Sequence, residues 1–191
     1  MFFLRRFVGA PRQVGSVTPS SRFLTREMMD KIQWNSPLNI AELGAGTGVV
    51  TRSILQMMTP GEGNLLVFEI DPVLKAMLEK EYGNRGLTVY GDARELPEIM
   101  EKRGIASLDY VVSSLPFAVL PPRVTASILD TIDSTLKPEG KLVAYQYSRH
   151  MKPYLKKRFE SVKISFVLRN VPPAFVYECS IPKKHKKLAK E

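Results

Sequence analysis

Residues 42–48 read Glu-Leu-Gly-Ala-Gly-Thr-Gly, an acid followed by three glycines at alternate positions. Glycine at Gly44, Gly46 and Gly48, with Ala45 between the first two, lets the backbone turn tightly and approach a ligand closely. A dinucleotide loop would read G-x-G-x-x-G, but here the third glycine falls one residue early and Val49 takes its place. The lysine of a phosphate-binding P-loop is also missing. Two further acids follow, Glu69 beside Ile70 and Asp92 beside Ala93. A carboxylate at Glu69 can accept both hydroxyls of a ribose, Asp92 falls where an adenine would lie, and Glu42 can orient an ammonium group directly or through water. Three acids at successive strand ends suit a nucleoside carrying positive charge, not a pyrophosphate. Each acid can instead cap a helix or stand in solvent.

These residues need a frame, and the sequence supplies an alternating one. Strands are expected at 38–43, 64–70, 87–91, 108–114 and 141–147. Helices fit near 47–58, 72–82, 94–103, 122–136 and 150–159, preceded by one that Ser20 or Ser21 caps and that ends near Trp34. Asp71-Pro72 is an N-cap and N1 pair, and Gly83 reads as the residue after that helix. Segments 161–169 and 174–181 close the chain as a strand pair around Pro172-Pro173. The pattern predicts an α/β fold, a doubly wound, Rossmann-like sheet, mostly parallel with an antiparallel edge strand. Residues 36–181 are expected to form the main domain, with 1–35 a separate N-terminal segment and 182–191 a basic tail.

Composition sets the outer limits. The chain has 191 residues, 44% hydrophobic and 25% charged, enough for one domain that needs no metal or disulfide to fold. A single cysteine, Cys179, argues against an internal disulfide or a multi-cysteine metal site, so no metal is expected and a reduced, cytoplasmic setting fits. No apolar run approaches the ~20 residues of a membrane span, and Arg5 and Arg6 interrupt the N-terminal apolar stretch. The net charge of +9 is unevenly spread. Residues 1–35 carry six Lys/Arg against two acids, 36–140 nine against fourteen, and 141–191 thirteen against three. An acidic middle between basic ends points to a polyanionic partner, an anionic membrane or a nucleic acid.

Taken together, Glu42 to Gly48, Glu69 and Asp92 resemble the class I S-adenosylmethionine-dependent methyltransferases over residues 38–147. The resemblance implies S-adenosylmethionine as cofactor, S-adenosylhomocysteine as product, and a binding set of Glu42, Gly44, Ala45, Gly46, Gly48, Glu69, Ile70, Asp92, Ala93 and Ser113. Thr18 and Ser20 join it if the N-terminal segment folds across the site.

Leu115-Pro116-Phe117 is similar to the rRNA adenine dimethylases, but Ser114 stands where they carry Asn, and the chain ends before the helical RNA-binding domain they append. The fuller resemblance is to the bacterial phospholipid N-methyltransferases. It is carried by Gly15-Ser16-Val17-Thr18-Pro19-Ser20-Ser21, by Ser113 to Pro121, and by Arg169-Asn170-Val171-Pro172-Pro173-Ala174-Phe175-Val176-Tyr177. It implies methylation of phosphatidylethanolamine towards phosphatidylcholine at the inner face of the cell membrane, with RNA adenine N6-methylation as the alternative.

The ends are compatible with a membrane. A helix over residues 2–8 would put Phe3, Leu4, Phe7 and Val8 on one side and Arg5 and Arg6 on the other. Lys183, Lys184, Lys186 and Lys187 would attract an anionic leaflet, and would attract RNA equally. For the reaction, Ser114 and Tyr145 are the candidate catalytic residues. Backbone carbonyls of 113–115 and a tyrosine hydroxyl would hold the amine with its lone pair towards the methyl carbon. Phe117, Tyr145 and Tyr177 offer aromatic faces to a growing methylammonium, and each can equally be core packing. Arg149 and Arg22 are candidates for the lipid phosphate, with a surface ion pair as the plain alternative for Arg149.

Overall fold

The structure is a computed structural model that describes residues 21–35 and 37–182. The expected helix at 2–8, Thr18, Ser20 and the lysine tail lie outside the described residues.

The chain begins with α1 (Arg22–Met29), capped by the Ser21 hydroxyl, which accepts from Leu24 N at 3.2 Å. Then follow β1 (Asn39–Leu43), α2 (Val49–Met57), β2 (Asn64–Phe68), α3 (Pro72–Tyr82) and the two-residue β3 (Val89–Tyr90). The second half contains α4 (Leu96–Lys102), β4 (Leu108–Ser113), α5 (Pro122–Thr135), β5 (Leu136–Gln146), α6 (Lys152–Arg158), β6 (Phe159–Val167) and β7 (Ala174–Pro182).

The seven strands lie in the order β3-β2-β1-β4-β5-β7-β6. Pairings among β1 to β5 are parallel, and β7 runs antiparallel to both its neighbours. The expected antiparallel strand thus lies one place in from the edge, with β6 outside it. The order reverses between β1 and β4, the switch point where sheets of this kind open a crevice at the carboxyl ends of their strands.

Both faces are covered. On one, Leu24 and Met28 of α1 and Val50 and Ile54 of α2 pack on Ile40, Val112, Val143 and Val176. On the other, α4, α5 and α6 bury Leu96, Ile132 and Leu155 against Leu43, Val111 and Leu142. A side chain such as Leu24 or Ile54, wholly removed from water, contributes roughly 1.5–3 kcal/mol. Residues 22–32 are therefore built into the core.

Three boundaries differ from expectation for physical reasons. The first helix stops at Met29, and Trp34 turns back to donate its indole N–H to Met29 O at 3.2 Å. Gly83 stays right-handed because the chain continues through a 3-10 turn, Gly83–Arg85, and Gly86 at φ +76° takes the left-handed position. β5 starts five residues early, at Leu136, because Leu136 already pairs with Leu108 before an irregularity in the register.

Candidate active site

The glycine loop is fastened at both ends. Gly44 N and Ala45 N both donate to Phe68 O, at 2.9 and 3.1 Å, and Ser114 N donates to Leu43 O at 2.9 Å. The loop is thereby tied to β2 on one side and to the segment after β4 on the other. At Gly48 (φ +80°) a Cβ would stand 2.6 Å from Leu78 Cδ2, so the missing side chain lets α2 approach α3. At Gly46 (φ +57°) a Cβ would meet nothing within 4 Å, and the space over the loop is open. Glu69, nearly buried just after β2, closes the arrangement. Its Oε2 accepts from Gly46 N at 2.8 Å and its Oε1 from Asp71 N at 2.8 Å. One lone pair on each oxygen stays available for a diol.

Glu42 is wholly buried in β1, and neither carboxylate oxygen has a hydrogen-bond partner. Burial pushes its carboxyl up to about 7; Glu69 adds to the rise and neighbouring Thr51 opposes it. A buried acid without a partner is costly unless something cationic comes to it. Asp92 follows β3 and caps the turn Ala93–Glu95 by accepting from Arg94 N at 2.9 Å. The Arg94 guanidinium also grips both its oxygens and holds its carboxyl below the usual range, against the opposing effect of burial. Ala93 is buried and Ile70 half-buried beside these acids. Open space above Gly46, a positioned diol acceptor at Glu69 and an orphaned acid at Glu42 fit an adenosyl group that bears a charged amino-acid tail.

The segment after β4 forms the second wall. Ser113 is buried, and its hydroxyl accepts from Leu115 N at 3.3 Å. Ser114 is half-buried beside the loop, where its backbone, not its side chain, makes the tie to Leu43. The Leu115 carbonyl already accepts from Phe117 N at 2.9 Å and from Gln146 Nε2 at 2.8 Å, so it is not free to hold an amine.

Two of the three aromatic candidates belong to the core. Phe117 is 3% exposed among the residues that α4 and α5 cover, which leaves it no face for a headgroup. Tyr177 is 0% exposed, and its hydroxyl is spent on Ser148 O at 3.1 Å. Tyr145 is half-buried on the opposite face and stands edge-on to Tyr147, ring centroids 5.7 Å apart. Burial, with Tyr145 close by, pushes the Tyr147 hydroxyl up to about 12, and Asn170 opposes that rise. Arg149 is exposed just beyond β5. Arg22 lies apart from it on α1, its guanidinium 4.9 Å from the centre of the Phe23 ring.

Two positions with no role in the sequence reading prove structural to this site. Gln146 is a buried amide at the end of an apolar strand, which is itself a signal, and it pins the Leu115 carbonyl. Asn170, also buried, accepts from Ser21 N at 3.0 Å and donates to Pro172 O at 2.7 Å, binding the β6–β7 turn to the start of α1. No pattern of spacing marks Asn170 in advance.

Solved structures share the fold. A precorrin-6y C5,15-methyltransferase from Geobacter metallireducens is 15% identical, covering 81% of this chain and 85% of its own, at a TM-score of 0.63. An S-adenosylmethionine-dependent methyltransferase from Aquifex aeolicus is 10% identical over 82% and 89%, at 0.58. An rRNA methylase from Streptococcus thermophilus is 14% identical over 82% and 93%, at 0.58. No family model matches the chain. The ornithine lipid N-methyltransferase of Singulisphaera acidiphila is 32% identical over 184 residues, 93% of each chain. The chain belongs to the family of that enzyme, the S-adenosylmethionine-dependent lipid N-methyltransferases built on the class I methyltransferase fold.

Proposed function

We propose that the protein methylates the amine of phosphatidylethanolamine, towards phosphatidylcholine, at the inner face of the cell membrane. The observation that carries the phosphate-bearing headgroup is Arg149, exposed at the end of β5 in a wall that has no acid. Segments 115–123 and 147–152 together contain Arg123, Arg149 and Lys152 and neither Asp nor Glu. A guanidinium there can take a phosphate bidentately. A membrane setting needs no spanning element, and among the described residues no helix is long and apolar enough to cross a bilayer.

The cofactor supplies an electrophilic methyl group on a positively charged sulfur. Glu69 would hold its ribose hydroxyls, Asp92 would lie beside the adenine, and Glu42 would face the ammonium group. The chain's remaining task is positioning. The attacking nitrogen must be neutral. Tyr147, held protonated by burial, can donate or accept a hydrogen bond but does not act as a base near neutrality. The site must remove a proton from the amine or select its unprotonated form, while Ser114 and Tyr145 line its approach. Aromatic faces at Tyr145 and Tyr147 suit the methylammonium product.

The test is methyl transfer from labelled S-adenosylmethionine, offered in parallel to phosphatidylethanolamine and to ornithine lipid in vesicles with anionic lipid, and to unmodified ribosomal RNA. Label is expected in phosphatidylethanolamine. Label in ornithine lipid alone would replace the headgroup, and label in RNA alone would sink the lipid reading and give Ser114 the adenine site.

A further inference from the structure

The carboxyl edge that carries the glycine loop continues across β5 to the turn between β6 and β7. That turn, residues 168–173, ends β6 and begins β7 at the level where Gln146 of β5 pairs with Phe175. It projects two large apolar side chains into water, Leu168 at 69% and Val171 at 73% exposed. Tyr147, next along the edge, is 47% exposed. Apolar residues this open, side by side on one rim, mark a contact surface.

Charge identifies what the surface meets. Arg169, next to Leu168 in the turn, and Arg22 both reach the Phe23 ring, their guanidinium carbons 5.3 and 4.9 Å from its centre. Asn170 locks the turn to the start of α1 through Ser21, so arginines and apolar tip move as one piece. Residues 168–173 and 21–23 contain no acid. Exposed aliphatic side chains with guanidinium groups beside them match a phospholipid bilayer, where arginine stems lie along the apolar layer and their heads meet the phosphates. RNA would call for exposed rings at the tip itself; Tyr147 and Phe166 stand beside it, 47% and 57% exposed, but the more exposed Leu168 and Val171 that lead the turn are aliphatic.

We propose that the β6–β7 turn, with the N-terminus of α1, is a membrane-docking tip: Leu168 and Val171 enter the headgroup–acyl boundary while Arg22 and Arg169 bind lipid phosphates. Docked in this way, the carboxyl edge faces the bilayer, and a headgroup nitrogen reaches the site while the acyl chains stay in the membrane. The proposal rests on the lipid reading above and deepens it.

The experiment uses the full chain and vesicles of equal parts phosphatidylethanolamine and phosphatidylglycerol. Leu168→Asp/Val171→Asp is expected to weaken vesicle partitioning about tenfold or more while S-adenosylmethionine affinity, the check on folding, stays within twofold. In the complementary variant, L168W, acyl chains brominated near the headgroup are expected to quench the added tryptophan emission. Undiminished partitioning of the double variant, an L168W signal that bromine does not quench, or no vesicle binding by the unsubstituted chain would each overturn the docking tip. Methyl transfer to phosphatidylethanolamine in detergent micelles, measured alongside, separates the two ideas. Labelled lipid together with vesicle partitioning that does not depend on Leu168 and Val171 removes only the tip, whereas quenching without labelled lipid removes only the substrate.

Discussion

The two halves of the carboxyl edge are built on opposite plans. Around β1, β2 and β3 the edge is acidic; backbone amides hold Glu69 and a guanidinium holds Asp92, while Glu42 is buried without a hydrogen-bond partner. Gly46 N and Asp71 N fix Glu69, and Arg94 fixes Asp92. Beyond β4 the edge is basic and in part apolar, with Arg149 in the open and Leu168 and Val171 in water. A cofactor of fixed shape rewards rigid, pre-placed acceptors. On the proposed function, an amine delivered from a fluid bilayer rewards orientation of the whole enzyme and a loose phosphate grip. The segment from Ser113 to Phe117 lies between them, tied to the first half through Leu43 and to the second through Gln146.

The largest effect should come from breaking the rigid half. Glu69→Ala removes the diol acceptor and its bonds to Gly46 N and Asp71 N, and should weaken S-adenosylmethionine binding about a hundredfold by calorimetry, with vesicle partitioning unchanged. An unchanged affinity would refute the ribose assignment.

Glu42 sharpens the comparison through pH. Its folded-state pKa is raised, to about 7, so its contribution to stability is fully present below the unfolded value of 4.5 and is lost as pH rises through 7. Replacing it with Gln removes that loss. Glu42→Gln should match the parent in thermal stability near pH 4.5 and exceed it above pH 8 by up to roughly 3 kcal/mol, several degrees in Tm, while binding the cofactor less well. A stability gap that does not widen with pH would contradict the buried, unpartnered carboxylate.

Cutting the link between the halves should do less. Gln146→Leu frees the Leu115 carbonyl on one side and should lower kcat about tenfold with cofactor Kd within twofold, because only the positioning wall moves. Smallest is Arg149→Ala, which on the proposed function loses one exposed phosphate contact. It should raise KM for lipid roughly threefold and leave kcat and cofactor affinity alone; a collapse in kcat would place Arg149 at the reacting atoms.

The acidic half was largely legible in the sequence because its signals are local. A glycine loop between a strand and a helix, an Asp-Pro cap and an acid at the next strand end each speak within a few residues, and Asp71 does accept from Val73 N and Leu74 N. The basic half was harder to read. In a sheet covered on both faces, alternation does not separate a core aromatic from one at the rim, so Phe117, Tyr145 and Tyr177 looked alike. Tertiary pairing separates them, placing Tyr177 between β5 and β6 and sending its hydroxyl to Ser148. The pinning by Gln146 and Asn170 joins residues 31 and 149 positions apart, which no local pattern carries.

Division of labour along one edge is the central claim, and one crossed measurement tests it directly. S-adenosylmethionine affinity and vesicle partitioning are both determined for Glu69→Ala and for Leu168→Asp/Val171→Asp. The account predicts that the first variant loses the cofactor and keeps the membrane, and that the second keeps the cofactor and loses the membrane. If both variants lost both functions, or if each lost the other's, the two halves would not be separate devices and the account would be contradicted.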